Sequence, residues 1–199
     1  MKKIAIFASG TGSNARKIIE YFTNHQNIKV ALVVSNRKTA PVLRMASENG
    51  VDTLVITRQS FYHSKSVLDV LDSYRIDAII LAGFLWLIPP YLVKNFPGRI
   101  LNIHPALLPK YGGKGMYGSH VHQAVKAANE QESGITIHIV DEEYDKGRII
   151  FQKSCPLEPS DSAEAIGKKV LQLEHRYFAP VIEEYLNIEN QNNLKDEVI

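Results

Sequence analysis

The chain has 199 residues, 45% of them hydrophobic and 22% charged, which suits one soluble domain with a full core. A formal net charge of +2 at pH 7, with no polybasic run, leaves no electrostatic footprint for nucleic acid or an anionic membrane. The first apolar run ends at Ser9-Gly10-Thr11-Gly12, too short for a signal sequence, no later run could span a bilayer, and the lone Cys155 excludes an intrachain disulfide, so a reducing cytoplasm is the expected compartment.

Lys3 to Ala8 reads as a buried parallel strand, followed by a turn at Ser9-Gly10-Thr11-Gly12-Ser13-Asn14 and a helix over Ala15 to Phe22. Branched aliphatics from Ile28 to Val34 predict a second strand. Pro41 to Asn49 is a helix that opens with proline and is capped by Gly50. Thr53 to Ile56 is a third strand, and Ser64 to Tyr74 a helix with Val67, Leu68, Leu71 and Tyr74 on one face. Asp77 to Ala82 is a fourth strand, and Pro89-Pro90 opens a short helix through Phe96. Strand and helix alternate, so the N-terminal half is a wound parallel sheet.

The pattern then changes. Arg99 to Ile103 is another strand. Gly134 to Val140 alternates apolar and polar, and Arg148 to Ser154 follows across a turn at Tyr144-Asp145-Lys146-Gly147. These two strands predict an antiparallel hairpin appended to the sheet. Ser162 to Leu186 is a long amphipathic helix with Asp161 or Ser162 as N-cap and Pro180 as a kink. The expected fold is therefore α/β and Rossmann-like: a parallel N-terminal half, an antiparallel C-terminal hairpin and a long last helix. Residues 1–187 are expected to form a single domain, and the asparagine-rich residues 188–199 a flexible tail.

Two stretches carry chemistry. Asn102 and His104 stand two residues apart at the end of a strand, so both side chains leave the same face. A carboxamide offers a donor for a developing oxyanion, and an imidazole moves a proton near neutral pH. That pair suits acyl-type transfer. The loop Gly10-Thr11-Gly12-Ser13-Asn14 opens a helix whose amides and dipole can hold an anion. Ala15 stands where a dinucleotide fingerprint needs its third glycine, and no Walker lysine follows. A phosphomonoester fits best, beside the plainer reading of a tight turn with Ser13 or Asn14 as cap.

Ser9-Gly10-Thr11-Gly12-Ser13-Asn14, Leu81-Ala82-Gly83-Phe84, Leu101-Asn102-Ile103-His104-Pro105 and Asp145-Lys146-Gly147 occur in this order from Lys3 to about Leu186. In order and spacing they resemble the formyltransferase superfamily, and within it the folate-dependent phosphoribosylglycinamide formyltransferases of purine synthesis. The resemblance implies 10-formyltetrahydrofolate as co-substrate, the amine of phosphoribosylglycinamide as acceptor, and no metal. It implies small-molecule substrates, no nucleic acid or membrane partner, and a monomer or homodimer. It gives catalytic roles to Asn102, His104 and Asp145, with Asp145 orienting His104 and raising its pKa. It assigns the acceptor to Gly12, Ser13, Asn14 and Glu174, and the folate to Leu85, Trp86, Leu87, Ile88, Asn102, Val140 and Asp141. Trp86 stands where relatives commonly carry arginine. The segment Gly112 to Ser119 reads as a glycine-rich flap, with Lys110 or Lys114 available to a phosphate or a folate tail.

Rival readings remain. His120-Val121-His122 with His104 and Asp145 suggests a metal-dependent hydrolase, although i and i+2 diverge at a helix start. A non-catalytic phosphate-binding module explains the first loop alone. His138 alternates within its strand and is either a pocket residue or a satisfied core histidine. Among formyl-group enzymes, a formyltetrahydrofolate deformylase or a methionyl-tRNA formyltransferase is expected to carry a further domain that this length leaves no room for; a sugar-nucleotide formyltransferase fits the phosphate loop less well.

Overall fold

A computed structural model describes residues 1–196, with side chains as far as Ile188. Five parallel strands come first: β1 (Lys2–Phe7), β2 (Ile28–Ser35), β3 (Asp52–Val55), β4 (Ala78–Leu81) and β5 (Ile100–His104). Between them run α1 (Ser13–Phe22), α2 (Pro41–Glu48), α3 (Arg58–Tyr62), α4 (Ser66–Tyr74) and α5 (Pro90–Asn95). The chain continues through α6 (Ser119–Ala127), β6 (Glu132–Ile139), β7 (Ile149–Pro156) and α7 (Ala163–Asp196). One sheet takes the order β3-β2-β1-β4-β5-β6-β7, with β6 antiparallel to both its neighbours. This is the Rossmann-like sheet with an antiparallel hairpin and a long last helix that the sequence predicts.

Alternation along the central strands splits their apolar side chains between two cores. From β1, Ile4 and Ile6 pack under α1, α2 and α7, while Ala5 and Phe7 pack under α3, α4 and α5. β4 does the same, with Ala78 and Ile80 on one face and Ile79 and Leu81 on the other. A strand covered on both faces has no room for polar side chains, which explains the unbroken apolar runs.

Helix ends follow local chemistry. α2 starts at Pro41 and stops in a Schellman motif: Gly50, at φ +70°, sends its N–H to Ser47 O, and the Val51 N–H reaches Ala46 O. Ser162 caps α7 by accepting the Ala165 N–H at 3.1 Å. α7 runs through Pro180 and past Leu186 as far as Asp196, since no glycine or proline follows Leu186 to stop it. The segment expected as a tail is thus helical through 196, and residues 197–199 lie outside the described residues. Periodicity misses α3, which is five residues long and held by a reciprocal Thr57–Ser60 capping box. Among the described residues no helix is long and apolar enough to cross a membrane.

Successive connections run from β1 to β2 on one side and later to β4 on the other, so strand order reverses between β1 and β4. A crevice opens beyond the carboxyl ends of strands at such a reversal. The loops there are pinned together. Ser9 donates its N–H to Gly83 O at 3.0 Å, and its buried hydroxyl accepts the Leu85 N–H at 3.0 Å.

Candidate active site

A cleft of about 940 Å³ opens at this end of the sheet. Leu101 and Ile103 point into the core, so Asn102 and His104 point the other way and into the cleft. The antiparallel register sets Asn102 opposite His138 and His104 opposite Thr136. Thr136 donates to Ala106 O at 2.7 Å and accepts the Leu108 N–H at 3.0 Å, tying the loop after β5 onto β6.

The polar contacts fix the tautomers. His138 donates Nδ1–H to Ile139 O at 3.0 Å, leaving Nε2 to accept from Asn102 Nδ2 at 3.0 Å. The Asn102 amide also faces Asp145 Oδ1 at 3.5 Å. His104 donates Nε2–H to Tyr111 O at 2.7 Å, and its Nδ1 lies 3.6 Å from Asp145 Oδ1. Asp145 Oδ2 accepts the Gly113 N–H at 2.9 Å. Tyr111 and Asp145 both sit at φ +56°, a left-handed conformation that costs a residue with a side chain about 1 kcal/mol or more. Strain at two adjoining site residues persists because the surrounding hydrogen bonds hold it.

Electrostatics corrects one expectation. Burial pushes the His104 imidazole below its ordinary value of 6.5, outweighing the opposing pull of Asp145 and the Tyr111 carbonyl. His104 is 3% exposed, and desolvation disfavours its charged form more than one carboxylate at 3.6 Å restores. Its resting state at neutral pH is therefore the neutral base, not the imidazolium. Burial works against the Asp145 carboxylate too, yet the His138 and His104 rings, whenever they carry a proton toward it, and the Gly113 amide hold it below the usual range.

At the α1 end, Asn14 donates Nδ2–H to Glu174 Oε2 at 2.7 Å, and its buried Oδ1 has no hydrogen-bond partner. Glu174 is 8% exposed, and burial raises its carboxyl against the hydrogen bond from Asn14. Gly12 sits at φ +79°, where a Cβ would run into Val42 of α2. No side chain caps the start of α1. Gly12 and Ser13 stand there, outside the cleft wall; Asp141, in the loop after β6, is also outside that wall and its Oδ1 takes the Glu143 N–H at 2.9 Å. Asn14 and Glu174 line the wall, as do Leu85, Trp86, Leu87, Ile88 and Val140. Tyr62 pins this apolar wall by donating its hydroxyl to Leu87 O at 3.0 Å, and the Arg58 guanidinium lies 5.2 Å from the Trp86 ring centre.

Other polar candidates separate. Lys110 pairs with Glu130 at 2.8 Å, whereas Lys114 lines the cleft. His122 also lines it, while His120 packs on Tyr117 with ring centres 5.3 Å apart. Among the described residues no group of three or more His, Cys, Asp or Glu is placed to hold a metal ion. Sequence reasoning leaves His138 undecided and misses the Tyr111 carbonyl and the Gly113 amide. Cross-strand register brings His138 to Asn102, and the two backbone groups leave no mark in the residue types.

Residues 2–182 match the family model described as formyl transferase. A chloroplastic phosphoribosylglycinamide formyltransferase of Arabidopsis thaliana is 45% identical over 187 residues, covering 91% of this chain and 64% of the relative. A phosphoribosylglycinamide formyltransferase of Haemophilus influenzae is 35% identical over 203 residues, covering 100% of this chain and 92% of the relative. The crystal structure of phosphoribosylglycinamide formyltransferase from Bacillus halodurans superposes with a TM-score of 0.84 at 34% identity, covering 93% of this chain and 95% of that one. The chain thus spans less than two thirds of the plant relative's length and nearly all of the bacterial ones.

Proposed function

Because the chain belongs to the formyl transferase family, we propose that it transfers a formyl group from 10-formyltetrahydrofolate to the amine of 5'-phosphoribosylglycinamide. The product is N-formylglycinamide ribonucleotide, for purine (IMP) synthesis. The carrying observation is the cluster of Asn102, His104 and Asp145 in a cleft lined both by an apolar wall and by the Asn14–Glu174 pair. The apolar wall of Leu85 to Ile88 and Val140 suits a flat pterin. The start of α1, at Gly12 and Ser13 outside the cleft wall and next to Asn14 in it, suits a phosphate. Asn14 Oδ1, buried and unpartnered, awaits a donor, and the acceptor's ribose hydroxyls and amine supply donors.

The chemistry follows from the tautomers. Attack by the amine on the formyl carbon forms a carbon–nitrogen bond and places negative charge on oxygen and positive charge on nitrogen. Asn102 holds His138 firmly at 3.0 Å but Asp145 loosely at 3.5 Å, so its second N–H can turn to the oxyanion. One such donor is worth about 3–4 kcal/mol of barrier. Neutral His104 accepts the amine's proton at Nδ1, directly or through water. The resulting imidazolium is bracketed by the Tyr111 carbonyl at Nε2 and the Asp145 carboxylate beside Nδ1. Collapse returns that proton to the departing folate nitrogen as the carbon–nitrogen bond to the donor breaks. Such a shuttle supplies roughly 10²–10⁴-fold. In this reading the protein works in the cytoplasm on dissolved substrates, as a monomer or homodimer; fractionation and light scattering check both.

The test is consumption of 10-formyltetrahydrofolate by purified protein, with and without phosphoribosylglycinamide, in the presence of chelator. Turnover that requires the acceptor and ignores chelator supports the proposal. Turnover without acceptor makes water the nucleophile and the protein a deformylase; none with either overturns formyl transfer to this acceptor.

A further inference from the structure

We infer that Glu130 is a positioning residue for His104, acting through Tyr111. Its kinetic consequence rests on the formyl-transfer reading; its geometry does not. α6 ends in a Schellman motif, with Asn129 at φ +51°, its N–H on Lys126 O at 3.1 Å and the Glu130 N–H on Val125 O at 3.4 Å. That reversal turns Glu130 back toward the loop after β5. There Glu130 Oε1 accepts the Tyr111 hydroxyl at 2.8 Å and the Lys110 ammonium at 2.8 Å. Tyr111 is thus held at both ends, its side chain by Glu130 and its carbonyl by His104 Nε2–H at 2.7 Å.

Between those ties the Tyr111 backbone sits at φ +56°. A residue with a side chain stays in that region only where its surroundings fix it. Two residues on, Gly113 donates to Asp145, so one short loop carries a partner for His104 and a partner for its carboxylate. The Lys110 pair is largely exposed and contributes little by itself. The Tyr111–Glu130 bond joins half-buried groups and holds the strained turn. Burial and Glu130 keep the phenol protonated, and Lys110 and Tyr111 keep Glu130 ionised, so the bond persists at neutral pH. Release of Tyr111 would free its carbonyl, and His104 would lose the acceptor that keeps its proton on Nε2 and its lone pair on Nδ1, facing Asp145.

The experiment compares Glu130→Ala, Glu130→Gln and Tyr111→Phe with wild type. It measures kcat and KM for both substrates, thermal stability, and the imidazole nitrogens of His104 by NMR in ¹⁵N-histidine protein. In wild type His104 is the Nε2–H tautomer. In Glu130→Ala and Tyr111→Phe the proton spreads over both nitrogens, and kcat falls about ten- to a hundredfold with KM retained. The two changes together are no worse than either alone. Glu130→Gln, whose amide oxygen still accepts the phenol, recovers most of the activity and the wild-type tautomer. A lower melting point with His104 tautomer and kcat unchanged would make Glu130 merely structural and overturn the inference. Should Glu130→Ala not fold, Tyr111→Phe, which removes a single oxygen, decides in the same way. Should wild type not transfer formyl groups, the tautomer comparison still decides on Glu130, so the two failures read differently.

Discussion

Asp145→Asn isolates one charge while conserving shape. The asparagine oxygen still accepts the Gly113 N–H, so the loop and the fold are retained. What disappears is the carboxylate 3.6 Å from His104 Nδ1. At an effective dielectric of about 20, a full charge at that distance is attracted by about 4–5 kcal/mol. The histidine is only partly charged in the transition state, and the amide dipole replaces some of the attraction, so about half should be lost. A barrier higher by about 2–3 kcal/mol lowers kcat roughly thirty- to two-hundredfold. The pH profile gives a second, signed readout. Burial already holds His104 below 6.5 and Asp145 opposes it. Without the carboxylate the imidazole falls further, and the acid limb of kcat/KM moves to lower pH. The assay is formyl transfer between pH 4.5 and 8.5, with melting temperature as the folding control. A folded variant with wild-type kcat, or with its acid limb moved upward, would refute the reasoning.

Three further outcomes follow from other parts of the molecule. At Gly134 in β6, a Cβ would run into the Lys153 carbonyl of β7 and stand 2.8 Å from Leu107 Cδ2, so Gly134→Ala should cost about 3 kcal/mol; an unchanged urea midpoint would contradict this. Asn14→Ala removes the hydrogen bond to buried Glu174 and should raise KM for phosphoribosylglycinamide about tenfold while sparing KM for the folate. An equal rise for both substrates would remove Asn14 from the acceptor end. Burial, helped in His122 by the charge that His104 takes up once it is protonated, holds His104 and His122 below 6.5. The unfolded chain therefore binds protons that the folded one refuses. The stability from these two groups is complete above pH 6.5 and is lost as pH falls through their folded values. Urea midpoints at pH 7.5 and 5.5 should show the protein weaker at 5.5, and a flat profile would count against the shifts.

What could be read from residues alone was what depends on neighbours in sequence. Alternation is local, so Asn102 and His104 fall on one face whatever the sheet does, and the Gly50 cap needs only a residue that tolerates positive φ. The Asn102–His138 contact needs the β5–β6 register, which hangs on where the strands meet across a long connection that includes α6. The sign of the His104 shift needed more: a carboxylate beside a histidine predicts a raised pKa only if both stay near water. Here β5 is central, its neighbours β4 and β6 are both paired, and His104 is sealed to 3% exposure. Desolvation therefore wins, and Asp145 limits the fall rather than reversing it. The same burial makes the site useful as a base, because a histidine neutral at rest can take the amine's proton. The carboxylate's attraction then grows as the charge develops on the ring, so it acts on the transition state more than on the resting enzyme.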